Sequence, residues 1–486
     1  MDYQVLLAQM ASREEQATWS TQRRLHAALR SAIQQGMLPA GSRLLSSRAL
    51  AQELGIARNT VVYAYEQLAT EGFLSSDRRG SIVSKIATNF TPSSDSTPSQ
   101  LARRAREIRP LPVAAHLASG FAPGVPSLVD FPLHAWRRLL DHTWRKLSAA
   151  QLGYAEAAGE PALRIAIANY LRASRGVDCA TEQVFITDGT QSSLDLCAHA
   201  FADENDTVWI ENPGYGGALA AFRMAQLNLV GIEVDEQGIA PSASDWQQHP
   251  PKFIYVTPSH QYPTGGVLGL ARRIELIEQA QAHAALIIED DYDSEFRYAG
   301  PPLAAMQGLL PNAPVVYLGT FSKTMFPAMR IGYMVVPKNF VDAFNKLLAI
   351  STSRGRSAEQ LCLAEFIRTG QFGLHLRRMR RLYQQRRDAL VSALQQELAD
   401  IGSVHGDSAG MHLTFCLHNA KHNDKAISAL ALEHNIVCPS LSKHAMSDNT
   451  WRGLVLGYAQ IPVEQMAPLV RRLAQLIRQS VNSILE

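Results

Sequence analysis

The chain has 486 residues, 46% of them hydrophobic and 19% charged, too long for one ordinary core, so two or more domains are expected. Its net charge is only +2, but residues 1–86 hold 10 Lys and Arg against 7 Asp and Glu, so the basic surplus is N-terminal and has the sign that phosphate contact needs. No apolar stretch reaches the roughly 18 residues that span a bilayer, and the opening MDYQVLLAQMASREEQ lacks the basic and apolar regions of a signal peptide, which points to a cytoplasmic protein with no membrane partner.

In STQRRLHAALRSAIQQG, Ser20 is placed to cap a helix, Leu25, Leu29 and Ile33 recur every four residues on one face, and Gly36 can close it. SSRALAQELGIARNTVVYAYEQLATEGFL predicts a short helix capped by Ser46 or Ser47 and a turn at Gly55 and Ile56. A second helix then runs from about Arg58 to Thr70, with Val61, Ala64, Tyr65 and Leu68 turned inward. This is the helix-turn-helix plan, whose second helix presents its first residues to the major groove of double-stranded DNA. Arg58, Asn59 and Thr60 occupy that position, where Arg and Asn read base edges and backbone N–H groups meet phosphate, and Arg48 on the preceding helix joins them as a DNA-binding candidate. FLSSDRRGSIVS supplies two short strands around Asp77 to Gly80, a wing that carries Arg78 and Arg79 toward the DNA. A packing or dimerisation module that binds no DNA is the plainer alternative. The whole run LPAGSRLLSSRALAQELGIARNTVVYAYEQLATEG resembles the winged helix-turn-helix of GntR-type regulators, over about the first 85 residues, and the resemblance implies DNA binding. It departs at Leu45, where the family commonly has Pro, and at Ala57, where a Ser usually caps the recognition helix; an Ala there costs about 1 kcal/mol of helix stability.

From about Ile86 to Pro112 the sequence turns to IATNFTPSSDSTPSQLARRAREIRPLP, rich in Ser, Thr and Pro and then in Arg, with little apolar periodicity. This predicts a linker at 87–116 between a DNA-binding domain at 1–86 and an effector domain at 117–486. In the latter, strand-like runs alternate with helical stretches, the sign of an α/β domain with a largely parallel sheet. Several of the strands end in polar or glycine-rich motifs, as expected when one ligand lies at the carboxyl ends of a parallel sheet. QVFITDGTQSSLDL places Gly189, Thr190 and Gln191 at a helix start, whose N–H groups suit a phosphate. TVWIENPGYGG ends in Tyr215, KFIYVTPSHQYPTGG in His260, Gln261 and Tyr262, and ALIIEDDYDSEF in Asp290 and Tyr292. VVYLGTFSK delivers Thr320, Ser322 and Lys323, with Arg330 seven residues later. Each has a plain reading alone: Asp290 as a helix cap, Tyr215 as a turn residue, Arg330 and Lys323 as solvated charges. Together, a phosphate cradle, a stacking aromatic, a buried carboxylate and a lysine are the parts that hold pyridoxal 5'-phosphate. The five cysteines, Cys179, Cys197, Cys362, Cys416 and Cys438, are odd in number and never spaced C-x-x-C, so neither a disulfide framework nor a metal site is expected.

From about Leu117 onward the chain resembles the fold-type I aminotransferases. The resemblance implies an α/β fold with a large domain on a mostly parallel sheet and a smaller C-terminal α+β subdomain. It implies Lys323 as the Schiff-base lysine, with Arg330 and Thr320 on the phosphate beside the N–H groups of Gly189, Thr190 and Gln191, and Ser322 among the cofactor-binding residues. It implies Asp290 at the pyridine nitrogen, Tyr292 at the ring hydroxyl and Tyr215 stacked on the ring. Tyr154, in LGYAEAAGEPALR, matches a tyrosine that reaches the phosphate of the other subunit, which implies a homodimer, and Arg452, in WRGLVLGYA, matches the arginine that grips a substrate carboxylate. Where many relatives carry Asn-Pro-Thr-Gly, this chain has Tyr262-Pro263-Thr264-Gly265, so the ring-hydroxyl contact falls to His260, Gln261 or no residue. Gly217, two residues after Tyr215, offers no cation to a distal acid.

The fusion as a whole resembles the MocR/GabR regulators over essentially all 486 residues. That resemblance implies a transcription regulator whose cofactor domain senses a small amino acid or amine through exchange with Lys323. Slow transamination is then a side activity of the regulator, and a working aminotransferase carrying a DNA-binding module is one alternative. A regulator to which pyridoxal phosphate itself is the effector is another.

Overall fold

The computed structural model describes residues 3–4, 19–77, 80–85, 100–106, 120–300, 303–351, 355–419, 422–446 and 451–482. Arg78, Arg79 and most of the expected linker lie outside the described residues. Two compact units are present, Met1–Gln100 and Leu101–Glu486.

In the first unit, α1 (Thr21–Gln34) starts where Ser20 Oγ accepts the N–H of Arg23, and it buries Leu25, Ala28, Leu29 and Ile33. Helix α2 (Ser47–Leu54) is capped by Ser46, whose Oγ accepts from Ala49 N–H at 3.2 Å. It ends at Gly55, at φ 65°, a left-handed turn that glycine adopts without a Cβ clash. Helix α3 (Arg58–Thr70) buries Val61, Ala64, Tyr65 and Leu68, the four residues expected from the spacing. Strands β1 (Leu74–Asp77) and β2 (Gly80–Val83) form the antiparallel wing. Arg43, which the sequence does not single out, fixes that wing by a two-pronged pair with Asp77, both bonds 3.0 Å.

The second unit is built on eight strands: β3 (Val184–Thr187), β4 (Thr207–Asn212), β5 (Asn228–Asp235), β6 (Gly238–Ile239), β7 (Phe253–Val256), β8 (Leu286–Asp291), β9 (Val315–Thr320) and β10 (Gly332–Val335). Their order across the sheet is β3-β10-β9-β8-β7-β4-β5-β6. The pairs from β9 through β8, β7 and β4 to β5 are parallel, and β10 runs antiparallel between β3 and β9. The C-terminal ends of β3, β4, β7, β8 and β9 therefore share one edge. Strands β3, β7 and β9 are buried along their whole length, because apolar side chains pack on both faces of the sheet. A smaller antiparallel sheet, β11 (Gly402–His405), β12 (His412–Leu417) and β13 (Gly453–Gly457), packs with the long helix Gln371–Leu398 into the α+β part that was expected. Within the segment read as a linker, Arg103–Arg106 forms a short helix that belongs to this unit. Among the described residues, no helix is long and apolar enough to cross a membrane.

Candidate functional site

The shared strand edge gathers most of the residues expected to act. Strand β9 ends at Thr320, and a tight turn follows in which Thr320 Oγ1 accepts the N–H of Ser322 at 3.2 Å. The turn directs Lys323 back over the sheet edge, where Nζ donates to Gly124 O at 2.7 Å. A Cβ on Gly124 would lie 3.1 Å from Nζ, so the close approach depends on glycine. Lys323 is half-buried; loss of hydration lowers its pKa, against the opposing charges of Asp293 and Asp290.

Asp290 is the penultimate residue of β8 and is 3% exposed. Its Oδ2 accepts from the hydroxyl of Tyr255 at 2.7 Å, while Oδ1 is buried with no hydrogen-bond partner. Burial pushes its pKa up to about 7, with the Tyr255 bond pulling the other way and Asp291 adding to the rise. Gly189, at φ 98°, is the N-cap of the helix Thr190–Phe201, whose first N–H groups point outward from the strand end. The Arg330 guanidinium lies 3.7 Å from where a Gly189 Cβ would stand. Gln191 Nε2 donates to Gly217 O at 3.0 Å and so ties this helix start to the turn that carries Tyr215. A Cβ at Gly217 would meet the Tyr215 ring at 2.4 Å, which explains the glycine there.

The loop after β7 completes the wall. Gln261 is spent on the loop itself: Nε2 donates to Glu211 Oε2, Pro213 O and Tyr262 O, and Oε1 accepts from Thr264. His260 Nδ1 faces Asp293 Oδ2 at 3.1 Å, and the Tyr292 hydroxyl donates to His260 O at 2.8 Å. The Tyr262 ring stands edge-on to Tyr215, Tyr292 and His412, with centroids 5.7, 6.2 and 5.3 Å away. His412, on β12, lies with its ring centroid 4.6 Å from that of His260. Asp293 and His412 were not expected. Asp293 stands one residue beyond Tyr292 in a quoted motif, and a search for the partner of a buried histidine would have found it; His412 has no local signal, because only the tertiary fold brings β12 to this edge.

Gly189, Thr190, Gln191, Tyr215, His260, Asp290, Tyr292, Thr320, Ser322, Lys323 and Arg330 thus come together. Tyr154 is 99% exposed and meets none of them within its own chain. The place of Arg452 follows from the small sheet. Thr414 pairs with Val455 in the β12–β13 register, and Thr414 Oγ1 donates to Pro263 O at 2.7 Å, so the sheet face turned to the site carries His412, Thr414 and Val455. Arg452 precedes Val455 by three residues and falls on the opposite face, where its guanidinium bonds Trp451 O at 3.0 Å. In the first unit, Arg48, Arg58 and Asn59 are exposed and Thr60 is half-buried, all at or beside the start of α3.

Residues 121–473 match the family model for aminotransferases of class I and II, and residues 21–83 that for bacterial regulatory proteins of the gntR family. The chain is 38% identical over 453 residues to the probable rhizopine catabolism regulatory protein MocR of Rhizobium meliloti, covering 91% of each. It is 32% identical over 433 residues to the pyridoxine biosynthesis transcriptional regulator PdxR of Corynebacterium glutamicum, covering 88% of this chain and 90% of that one. The alpha-aminoadipate aminotransferase LysN of Thermus thermophilus, solved with N-(5'-phosphopyridoxyl)-L-leucine, superimposes with a TM-score of 0.70 at 26% identity, covering 79% of this chain and 96% of that one. The residues present fit the same group. Asp290 Oδ1 is an orphaned buried acceptor of the kind a ring N–H satisfies, and Gly189 leaves a side-chain-free cradle beside Arg330. The cofactor is pyridoxal phosphate, and the chain belongs to the MocR-type regulators, in which a GntR-family helix-turn-helix domain is joined to a class I and II aminotransferase domain.

Proposed function

We propose that this chain is a cytoplasmic, homodimeric transcription regulator that binds double-stranded DNA through its N-terminal unit and reads a small amine at the Lys323 site of its C-terminal unit. The observation that carries this reading is Lys323 itself, held beside Asp290 and Asp293 in a chain whose other unit exposes Arg58 and Asn59 at the start of a recognition helix. Relatives that match over nine-tenths of their own length, MocR and PdxR, are regulators by name, which favours regulation over a stand-alone aminotransferase.

Bound pyridoxal phosphate supplies an aldehyde carbon that bonds reversibly to an amino group. In this reading, the N–H groups of Gly189 to Gln191, Arg330 and Thr320 hold its phosphate, Ser322 fixes the turn, and Asp290 Oδ1 accepts the ring N–H. Tyr215 covers the ring face, while Tyr292 and His260 line its hydroxyl side. Burial shifts Lys323 toward the neutral amine, the form that would bond the aldehyde carbon, while Asp293 and Asp290 oppose the shift. A free Lys323 Nζ would have Gly124 O as its hydrogen-bond partner, on the segment that follows the expected linker. A ligand alters DNA binding only so far as it favours one arrangement of this segment over another. The exposure of Tyr154, together with exposed Leu133, Trp144 and Leu152, supports a second copy as the partner of that surface.

Lys323→Ala tests the reading. The purified variant should fold, lose the visible absorbance of lysine-bound cofactor, and bind the DNA upstream of its own gene with no response to added amines. An amine response that survives the substitution would sink the proposal.

A further inference from the structure

The run QFGLHLRRMRRLYQQRR, residues 371–387, opens the long helix Gln371–Leu398 with six arginines and no Asp or Glu, although residues 87–486 as a whole are close to neutral. Three of the six are taken up by the fold. Arg380 Nε donates to Glu295 O at 2.9 Å, Arg386 bonds Ala459 O and Asp130, and Arg387 bonds Asp407 O and pairs with Asp388. The other three, Arg377, Arg378 and Arg381, are exposed, and they share one face with Leu374 and Leu382 at the three- and four-residue spacing of a helix.

That face and Asp130 line a cavity of about 480 Å³, a volume that takes a small organic molecule. Asp130 does not balance the arginines. Its Oδ2 accepts from Ser127 Oγ at 2.6 Å and from Arg386 Nη2 at 3.1 Å, and only Oδ1 approaches Arg378, at 3.7 Å. Arg377 and Arg381 have no ion-pair or hydrogen-bond partner among the described residues, and as like charges one helical turn apart they repel each other. A merely solvated helix face mixes its signs, whereas this one sets a single sign around a cavity whose wall includes Leu374, 60% exposed. Guanidinium forks match phosphate oxygens two at a time. A DNA backbone would supply phosphate but nothing for the leucines; an organic phosphate supplies both.

We infer that this cavity is a second small-molecule site, for an organic phosphate with at least two negative charges. Its phosphate groups lie among Arg377, Arg378 and Arg381, and its ring or chain covers Leu374 and Leu382. The inference does not depend on what is read at Lys323.

Adenosine 5'-diphosphate is the probe, with adenosine and inorganic pyrophosphate as its two halves. Calorimetric titration of the full-length, cofactor-loaded protein at physiological salt should show one diphosphate site per chain, about tenfold or more tighter than for either half, with the visible absorbance of the cofactor unchanged. Arg377→Gln and Arg381→Gln should each weaken the probe by about tenfold or more. Leu374→Ser should weaken the probe while leaving pyrophosphate within about twofold. All three positions are exposed, so the variants should melt with the unaltered protein. The absence of saturable binding overturns the inference, as does pyrophosphate binding as tightly as the probe or probe binding that the arginine substitutions leave within about twofold. Substitutions that spare the probe but weaken binding to every DNA alike, with a shallower salt dependence, would also overturn it and assign these arginines to a nucleic-acid backbone.

Discussion

Asp290 shows what a single buried carboxylate costs the cofactor-free fold. Its folded pKa is raised by burial to about 7, above the ordinary carboxylate value. The folded state therefore holds the proton more tightly than the unfolded chain, so the stability this group contributes falls as pH rises from about 4 to about 7 and stays low above that. Asp290→Asn removes the charge, and the cofactor-free variant should melt above the unaltered protein at pH 8. The difference is bounded by roughly 3 pKa units at about 1.4 kcal/mol each, and it should close as pH falls toward 4. Loading with pyridoxal phosphate should reverse the order at pH 8, because an amide gives the ring N–H no counter-charge. Calorimetry of both forms at the two pH values checks this; a cofactor-free variant no more stable at pH 8 would show that Asp290 carries no buried charge. Lys323, Asp290 and Tyr215 are legible in the sequence because each follows a run of buried β-branched or aromatic residues that fixes which edge it reaches. Asp293 and His412 are not, since what matters about them is a pairing made by the tertiary fold.

At the scale of elements, the helix-turn-helix is the most legible part of the chain. Its caps, its glycine turn and its inward face are all local signals, and α3 begins and ends where the spacing puts it. The departure at Ala57 has a structural counterpart: the residue has extended N-cap backbone, φ −63° and ψ 136°, and no side chain to accept an N–H from the first turn. Ala57→Ser should add about 1 kcal/mol to this unit. In a domain of this size that raises the melting transition of the N-terminal unit by about 4–8 °C, and an unchanged transition would mean that the first turn is satisfied by other means. The small sheet gives the opposite lesson. Gly453–Gly457 is buried at every position, so it lacks the polar–apolar alternation that tells one face from the other. Without that alternation the face of Arg452 cannot be read from WRGLVLGYA, and a shift of one residue exchanges the faces. Only the pairing of Thr414 with Val455 settles which side chains share the face that bonds Pro263 O.

At the scale of the whole molecule, Tyr154 poses the sharpest question, because a phenol 99% exposed in one chain is matched by sequence to a phosphate contact. If it serves the cofactor of a second copy, its loss and the loss of Lys323 damage different sites in a mixed dimer. Tyr154→Phe alone should weaken cofactor binding by removing one hydrogen bond to a charged group, worth about 1.5–3 kcal/mol, or roughly ten- to a hundredfold in Kd. Lys323→Ala alone abolishes the lysine-bound chromophore at every site. In a mixed dimer, the Lys323→Ala subunit keeps its tyrosine and lends it to the partner, whose lysine is intact. Subunits exchanged at random in equal amounts should therefore rebuild about a quarter of the native sites, since half the dimers are mixed and each holds one complete site. That fraction would appear as a tight-binding phase in a cofactor titration, absent from either variant alone. A mixture whose titration is only the sum of its two parents would place Tyr154 outside the partner's site and leave the exposed apolar surface around it as the sole support for the dimer.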